Sequence, residues 1–143
     1  MRVITGSARG MVLRTLEGES VRPTTDKVKE AVFSAIQFEI EGRRVLDLFA
    51  GSGQLGLEAL SRGAASVSFV DSEREAMEVV KRNARTTGFF DKCRYIVSDW
   101  RNYIRKASGK DKYDLVFVDP RLVCGGDQRL LHGFKIHLIC LLL

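Results

Sequence analysis

The sequence predicts an α/β fold built on a doubly wound parallel sheet, and three observations predict it. Short apolar segments alternate with longer amphipathic ones between residues 45 and 118, as in parallel sheets covered by helices. A glycine-rich turn follows the first apolar segment. An acidic residue stands at or just beyond the end of four successive segments, namely Asp47, Asp71, Asp99 and Asp119. Because ligands bind such sheets at the carboxyl ends of the strands, we expect the functional site there.

The composition is typical of one soluble globular domain. The 143 residues are 45% hydrophobic and 29% charged, and no apolar run is long enough to span a bilayer. No secretory signal is recognisable, so we expect a cytoplasmic protein. The three cysteines form neither a disulfide framework nor a zinc pattern. His132 and His137 have no third ligand beside them, so we expect no metal site.

The positive charge is unevenly distributed along the chain. The net charge is +5, and residues 74–112 hold eleven Lys or Arg against five Asp or Glu. Residues 1–15 hold Arg2, Arg9 and Arg14 and no acidic residue. A basic frame of this kind indicates a polyanionic partner such as nucleic acid. A solvated surface that only keeps the protein soluble is the alternative on charge alone.

Residues 1–20 are predicted to form a β-hairpin extension. Arg2–Thr5 and Met11–Thr15 each alternate polar and apolar residues, and a glycine-bounded loop lies between them. This hairpin has little apolar surface of its own, so it must lie on the domain edge or on a partner. The remaining residues, 21–143, are predicted to form a single domain.

A helix is predicted at the start of that domain, and strands then alternate with helices. Thr24 or Thr25 can cap the first helix, and Asp26 complements its dipole. The predicted strands are Val45–Ala50, Ser66–Val70, Arg94–Val97 and Tyr113–Val118. The predicted helices between them are Gln54–Arg62, Glu73–Thr87 and Asp99–Ala107.

The glycine string from Gly51 to Gly56 lies between a predicted strand and a predicted helix, the context in which it indicates a ligand site. Gly51 and Gly53 permit a tight turn that a ligand can approach closely. Gly56 lets the helix lie close to the strand. The N–H groups at the start of the helix can receive an anionic group.

Two carboxylates beside this turn indicate which ligand it binds. Asp71 follows about twenty residues later, where an acidic side chain would bind ribose hydroxyls of a dinucleotide or of S-adenosylmethionine (SAM). Asp47 favours SAM, because a carboxylate at the mouth of the first strand could hold the ammonium group that SAM carries and NAD lacks. The alternative for Asp47 is a capping role in the glycine turn.

The residues that follow the third and fourth predicted strands indicate how the adenine and the methyl-accepting amine could be bound. Asp99 could accept a hydrogen bond from the adenine amine while Trp100 packs beside the ring, although Trp100 could equally be a core aromatic. Asp119 and Pro120 would lie beside the transferring methyl group and orient an exocyclic amine of a nucleobase. Such a base must be flipped out or single-stranded. Alone, an Asp-Pro dipeptide would indicate only a turn.

These residues resemble a known family. Val45–Gly53 resembles the first SAM-binding motif of the class I methyltransferases, which have a Rossmann-like fold. Arg2–Gly6 and Arg22–Phe33 resemble more narrowly the RsmD family, which methylates the exocyclic N2 amine of a guanine in small-subunit (16S) ribosomal RNA. The resemblance implies the cofactor SAM and ribosomal RNA or the small-subunit particle as partner.

Each site residue carries one of three implied roles. Catalysis is assigned to Asp119 and Pro120, and RNA binding by the hairpin to Arg2, Arg9 and Arg14. The implied cofactor-binding residues are Arg22, Thr24, Asp47, Phe49, Ala50, Gly51, Ser52, Gly53, Gly56, Asp71, Ser72, Asp99 and Trp100.

The chain departs from the family pattern after Pro120. The family continues with a second proline and an aromatic residue that stacks on the target base, whereas this chain has Arg121 and Leu122. Residues 121–143 form an atypical tail, in which Phe134–Leu143 could supply an edge strand or a short helix. We therefore expect a sheet that is incomplete on its C-terminal side, in a monomer unless an exposed sheet edge promotes association.

Three alternatives to the ribosomal RNA methyltransferase remain open. The chain could be a truncated relative that binds SAM or RNA without catalysis. It could be an amino-methyltransferase that acts on DNA or on another RNA, since the Asp-Pro chemistry is shared. A dinucleotide-dependent dehydrogenase is the most distant alternative.

Overall fold

A computed structural model describes residues 1–16, 26–107, 111–118 and 137–140. Its core is a five-stranded parallel sheet in the order β3-β2-β1-β4-β5. The strands are β1 (Arg44–Asp47), β2 (Ser66–Asp71), β3 (Cys93–Val97), β4 (Leu115–Val118) and β5 (His137–Cys140). The helices are α1 (Asp26–Ala35), α2 (Gln54–Ser61), α3 (Arg74–Thr87) and α4 (Trp100–Ala107), and a short 3₁₀ turn spans Phe90–Lys92.

The sheet confirms the predicted α/β architecture and places the topological switch point between β1 and β4. The chain runs outward from β1 through β2 to β3, and α2 and α3 pack on one face of these strands. The helix α4 then packs on the other face, and the chain continues into β4 on the far side of β1. Ligands of open α/β sheets bind in the crevice that such a reversal creates.

Two strand boundaries differ from the prediction by more than one residue. The strand β1 ends at Asp47 rather than Ala50, although the chain beyond it still bonds to both neighbours: Leu48 N–H donates to the Phe117 carbonyl (3.1 Å) and Ala50 N–H to the Val70 carbonyl (3.0 Å). The strand β4 begins at Leu115 rather than Tyr113. The Tyr113 hydroxyl instead pairs with that of Tyr103 at 2.5 Å.

Apolar residues fill both faces of the sheet. The larger core lies under α1, α2 and α3 and includes Phe33, Phe69 and Phe117, which are fully buried. The smaller core lies under α4 and contains Leu46, Leu48, Val70, Tyr103, Val116 and Val118. Val45 and Leu46 of β1 and the successive residues of β4 thus point alternately into the two cores, which explains why β4 is wholly apolar.

The N-terminal segment is a hairpin that lies on the domain. Arg2 pairs with Val12 in an antiparallel bridge, and Val3, Ala8 and Leu13 are buried in the larger core. Its loop rests on the C-terminal end of α2, where Ser7 N–H donates to the Ser61 carbonyl at 2.8 Å. A Cβ at Gly6 would lie 1.8 Å from that carbonyl oxygen, so only glycine fits this contact. The hairpin therefore packs on its own domain.

Of the two alternatives predicted for the C-terminal segment, an edge strand or a short helix, the structure shows the strand. The strand β5 lies within the predicted segment Phe134–Leu143 and pairs in parallel with β4, at the edge of the sheet. Among the helices of the described ranges, none combines the length and apolarity needed to cross a membrane.

Candidate cofactor site

The glycine turn joins β1 to α2 in the conformation its sequence predicts. Gly51 and Gly53 have φ of +54° and +82°, a region that side-chain-bearing residues rarely adopt. A Cβ at Gly56 would lie 2.4 Å from Cε1 of Phe69 and 2.8 Å from Cγ1 of Val67. The helix α2 therefore approaches β2 as closely as backbone allows.

Asp47 is buried under this turn and caps α2 from the preceding strand. Its side chain is only 1% exposed, and its Oδ2 accepts the N–H of Gly56 at 3.1 Å. Gly53, at the N-cap position, has no side chain with which to satisfy that donor. This bond therefore supports the alternative interpretation of Asp47, a capping role in the glycine turn. Its contact with a cofactor ammonium group stays a prediction.

Asp71 connects the glycine turn to the next helix. Its Oδ2 accepts the N–H of Gly51 at 2.9 Å and its Oδ1 accepts the N–H of Glu73 at 3.0 Å. The residue is 8% exposed, whereas the adjacent Ser72 is exposed. A carboxylate offers about four lone-pair sites, and these two bonds use two of them. The contact of Asp71 with ribose hydroxyls stays a prediction.

Asp99 and Trp100 lie at the end of β3, at the start of α4. Asp99 is exposed, and its Oδ1 accepts the N–H groups of Arg101 (2.9 Å) and Asn102 (3.3 Å) as a helix cap. The half-buried Trp100 packs against Phe49 with ring centroids 6.2 Å apart and joins the smaller core. The arrangement accommodates both a structural and an adenine-binding role for Trp100.

The sheet order brings three of the four predicted carboxylates to one rim. Asp47, Asp71 and Asp99 stand at or just beyond the carboxyl ends of β1, β2 and β3, which are neighbours. The catalytic candidates Asp119 and Pro120 follow β4, the other neighbour of β1, and lie outside the described residues. The same holds for the predicted cofactor contacts Arg22 and Thr24 and for the capping candidate Thr25.

The predicted RNA-binding residues all lie on the hairpin. Arg2, Arg9 and Arg14 have exposed side chains. The hairpin backbone is bonded to the domain at Arg2, since Lys29 Nζ of α1 donates to the Arg2 carbonyl at 3.0 Å. The hairpin thus presents three cations on a fixed support.

Three residues that the sequence analysis missed also shape the site. Asn83 of α3 is 1% exposed and Glu58 of α2 is fully buried, and both contact the hairpin. The buried Oε1 of Gln54, the first residue of α2, has no hydrogen-bond partner within the described ranges. A signal was present for Asn83 and Glu58, because helical spacing places each among apolar residues, where an unpaired polar group is costly.

The thiol of Cys93 takes no part in this site. Burial raises its pKa to about 11, and its Sγ contacts the Phe89 carbonyl at 3.2 Å. It is therefore a protonated thiol at neutral pH, as expected of a structural cysteine.

Comparison with known proteins identifies the family. The family model "Conserved hypothetical protein 95" matches residues 1–124. The chain is 43% identical over 121 residues to the Bacillus subtilis protein named "Putative rRNA methyltransferase YlbH", a match that covers 84% of this chain and 66% of that protein. It is 35% identical over 121 residues to "Ribosomal RNA small subunit methyltransferase D" of Haemophilus influenzae, covering 84% and 63%.

A solved structure shares the fold as well as the sequence. The Escherichia coli protein titled "Putative methyltransferase yhhF" superposes with a TM-score of 0.76 at 36% identity, covering 87% of this chain and 66% of its own. The chain thus spans about two thirds or less of these relatives, which agrees with the predicted incomplete sheet. The chain belongs to the family of "Conserved hypothetical protein 95", and its predicted resemblance to the RsmD family is confirmed.

Proposed function

We propose that this chain is a SAM-dependent methyltransferase that modifies the exocyclic N2 amine of a guanine in small-subunit ribosomal RNA. The observation that carries the proposal is the Asp71 carboxylate, which holds the Gly51 turn at 2.9 Å on the rim of a parallel sheet. Family membership supports the same activity, because two relatives are named as ribosomal RNA methyltransferases.

The residues of the turn fit SAM in shape and in donor set. Gly51 leaves the backbone of the turn partly exposed, whereas Gly53 is buried against Val80 and Phe69. The lone pairs of Asp71 beyond its two backbone bonds would suit the ribose hydroxyls. Asp99 and Trp100 would bind the adenine, and Asp47 would contact the methionine end. When bound, SAM supplies an electrophilic methyl group.

Asp119 and Pro120 would prepare the amine for the reaction. The lone pair of an exocyclic amine is delocalised into the base, so the amine is a poor nucleophile. Hydrogen bonds from the amine to the Asp119 carboxylate and the Pro120 carbonyl would orient it towards the methyl group. The base would have to be flipped out of its helix to reach them. The arginines of the hairpin would bind the surrounding phosphates.

One observation favours a second candidate function, in which the protein binds SAM and RNA but does not catalyse methyl transfer. Arg121 and Leu122 stand where the family resemblance places a proline and a stacking aromatic residue, and the family match ends at residue 124. Without the stacking platform, a flipped base would be held less firmly.

Two measurements test the proposal. Calorimetric titration with SAM or its demethylated product S-adenosylhomocysteine (SAH) should show binding, and labelled SAM should transfer methyl groups to unmodified small-subunit particles or naked 16S RNA. Asp119→Ala should abolish transfer and keep SAH binding. Binding without transfer would favour the second candidate, and transfer to DNA instead would favour the amino-methyltransferase alternative. No binding of SAH at millimolar concentration would overturn both candidates.

The proposal also covers the binding partner, the cellular compartment and the oligomeric state. Ribosomal RNA or the small-subunit particle is the proposed partner, in the cytoplasm, and the chain is proposed to act as a monomer. Size-exclusion chromatography with light scattering would reveal association through the β5 edge of the sheet.

A further inference from the structure

The buried side chain of Asn83 joins the hairpin to the glycine turn. Asn83 of α3 donates from Nδ2 to the carbonyl of Ser52 (2.9 Å) and to that of Arg14 (3.0 Å). Its Oδ1 accepts the N–H of Arg14 at 2.8 Å. Both Nδ2 protons are thus used, one on the cofactor turn and the other on the hairpin, 69 residues away along the chain.

We propose that Asn83 is a positioning residue through which binding of the cofactor at the turn orders the hairpin. This inference rests on the proposed function, in which the turn binds SAM and the hairpin binds RNA. A cofactor that fixes the backbone of Ser52 fixes the amide of Asn83, and that amide holds the backbone of Arg14 on both its N–H and its carbonyl. The cofactor should therefore bind first and prepare the hairpin for RNA.

A second contact between the turn and the hairpin involves Met1 rather than Arg14. The hydroxyl of Ser52 lies 3.7 Å from Sδ of Met1, at the start of the hairpin. On the opposite side, the buried carboxylate of Glu58 accepts the N–H groups of Ile4 (2.9 Å) and Thr5 (3.0 Å). Glu58 thus seats the hairpin on α2 without touching the turn itself, whereas Asn83 touches both.

The coupling has a thermodynamic consequence. A ligand that stabilises one end of a shared hydrogen-bond network stabilises the other end, and linkage makes the effect reciprocal. The loss of the amide would leave the Arg14 N–H and two carbonyl groups without their partner, so that the link between the turn and Arg14 of the hairpin would be lost.

Hydrogen–deuterium exchange of the full chain with and without saturating SAH tests this link. In the wild type, SAH should slow exchange in residues 50–56 and, on the order of 5-fold or more, in residues 11–16. In Asn83→Ala, SAH should still slow exchange in residues 50–56 but leave residues 11–16 unchanged. Asn83→Asp, which keeps the acceptor for Arg14 N–H but loses the Nδ2 donor, should behave likewise.

Glu58→Gln serves as the matched control. It should speed exchange, with or without SAH, at whichever of Ile4 and Thr5 then faces the NH2 group, yet retain the SAH-dependent slowing in residues 11–16. A merely structural Asn83 would change basal exchange alone and leave the response to SAH intact, which would overturn the inference. Wild-type protein that protects residues 50–56 but not residues 11–16 would overturn it as well, even if neither Asn83 variant folds. Failure of SAH to protect residues 50–56 would instead overturn the proposed function and this inference with it.

Discussion

Asp71 and Asp99 stand at the ends of neighbouring strands, yet the molecule holds them in opposite ways. Asp71 is 8% exposed and accepts N–H groups from two different elements, one of them the glycine turn twenty residues earlier in the chain. Asp99 is exposed, and within the part of the chain that the structure describes it accepts the N–H groups of Arg101 and Asn102, both in the helix α4 that it caps. One carboxylate is fixed by tertiary structure and the other by its own helix.

The difference shows that the rim has a rigid half and a local half. The rigid half comprises the glycine turn, Asp47 and Asp71, all buried or bonded across elements. The local half comprises Asp99 and Trp100 at the start of α4. Substitutions in the rigid half should therefore affect folding and ligand binding together, whereas a substitution of Asp99 that keeps the helix cap should affect ligand binding alone and less strongly.

The largest effect is expected at Gly56, where the rigid half is most tightly packed. Gly56→Ala would normally stabilise a helix by about 0.5–1 kcal/mol. Here its Cβ meets the ring of Phe69 at 2.4 Å, so we expect the free energy of unfolding to fall by about 1–3 kcal/mol. Urea denaturation measures this change.

A second substitution supplies the control for Gly56. Phe69→Leu in the Gly56→Ala background removes the ring edge and should restore part of the lost stability, although Phe69→Leu alone is destabilising. A Gly56→Ala variant that is as stable as the wild type would show that α2 can move away from β2.

Asp71→Asn should give the next largest effect and act on binding and folding together. An amide has one carbonyl oxygen, so it cannot accept from Gly51 and Glu73 and also bind ribose hydroxyls as an ionised carboxylate does. We expect the affinity for SAH to fall about 10- to 100-fold, measured by calorimetry. Glu75→Gln, an exposed change in the first turn of α3, should leave the affinity unaltered.

Asp99→Asn should distinguish the local half of the rim from the rigid half, because it should change ligand affinity without changing stability. Asparagine caps helices as well as aspartate, so the urea midpoint should not change, while the SAH affinity should fall less than about 5-fold because the side chain is exposed. Asp99→Ala should lower stability by about 1 kcal/mol through loss of the cap. An affinity loss as large as that of Asp71→Asn would erase the distinction between the halves.

The smallest effect concerns Asp114, a carboxylate beside the amino-terminal end of β1, away from the rim. The backbone N–H of Arg44 (2.9 Å), and after it the guanidinium charge of Arg44, lowers the pKa of Asp114 in the folded protein. Its contribution to stability is therefore complete above the unfolded pKa of about 3.9 and is lost as the pH falls through the lower folded pKa.

Asp114→Asn should accordingly be slightly less stable than the wild type at pH 7, by less than about 1 kcal/mol. The difference in urea midpoint should shrink as the pH falls below about 4. A difference that stays constant with pH would mean that the charge of Asp114 contributes nothing.

The order and type of the elements could be predicted from the sequence, because they depend on local patterns. Apolar runs of strand length, amphipathic segments of helix length and the glycines at positions 51, 53 and 56 are all readable without tertiary contacts. The alignment of Asp47, Asp71 and Asp99 on one rim then followed from the parallel topology alone.

Only the tertiary structure decided what these side chains contact. The bonds from Asp47 to Gly56, from Asp71 to Gly51 and from Asn83 to Arg14 join residues 9, 20 and 69 positions apart. No local pattern specifies such partners, because each depends on how closely two elements pack once the cores on both faces of the sheet are filled. The sequence by itself thus determined where the acids stand, and the packing of α2, α3 and the hairpin determined how they are held.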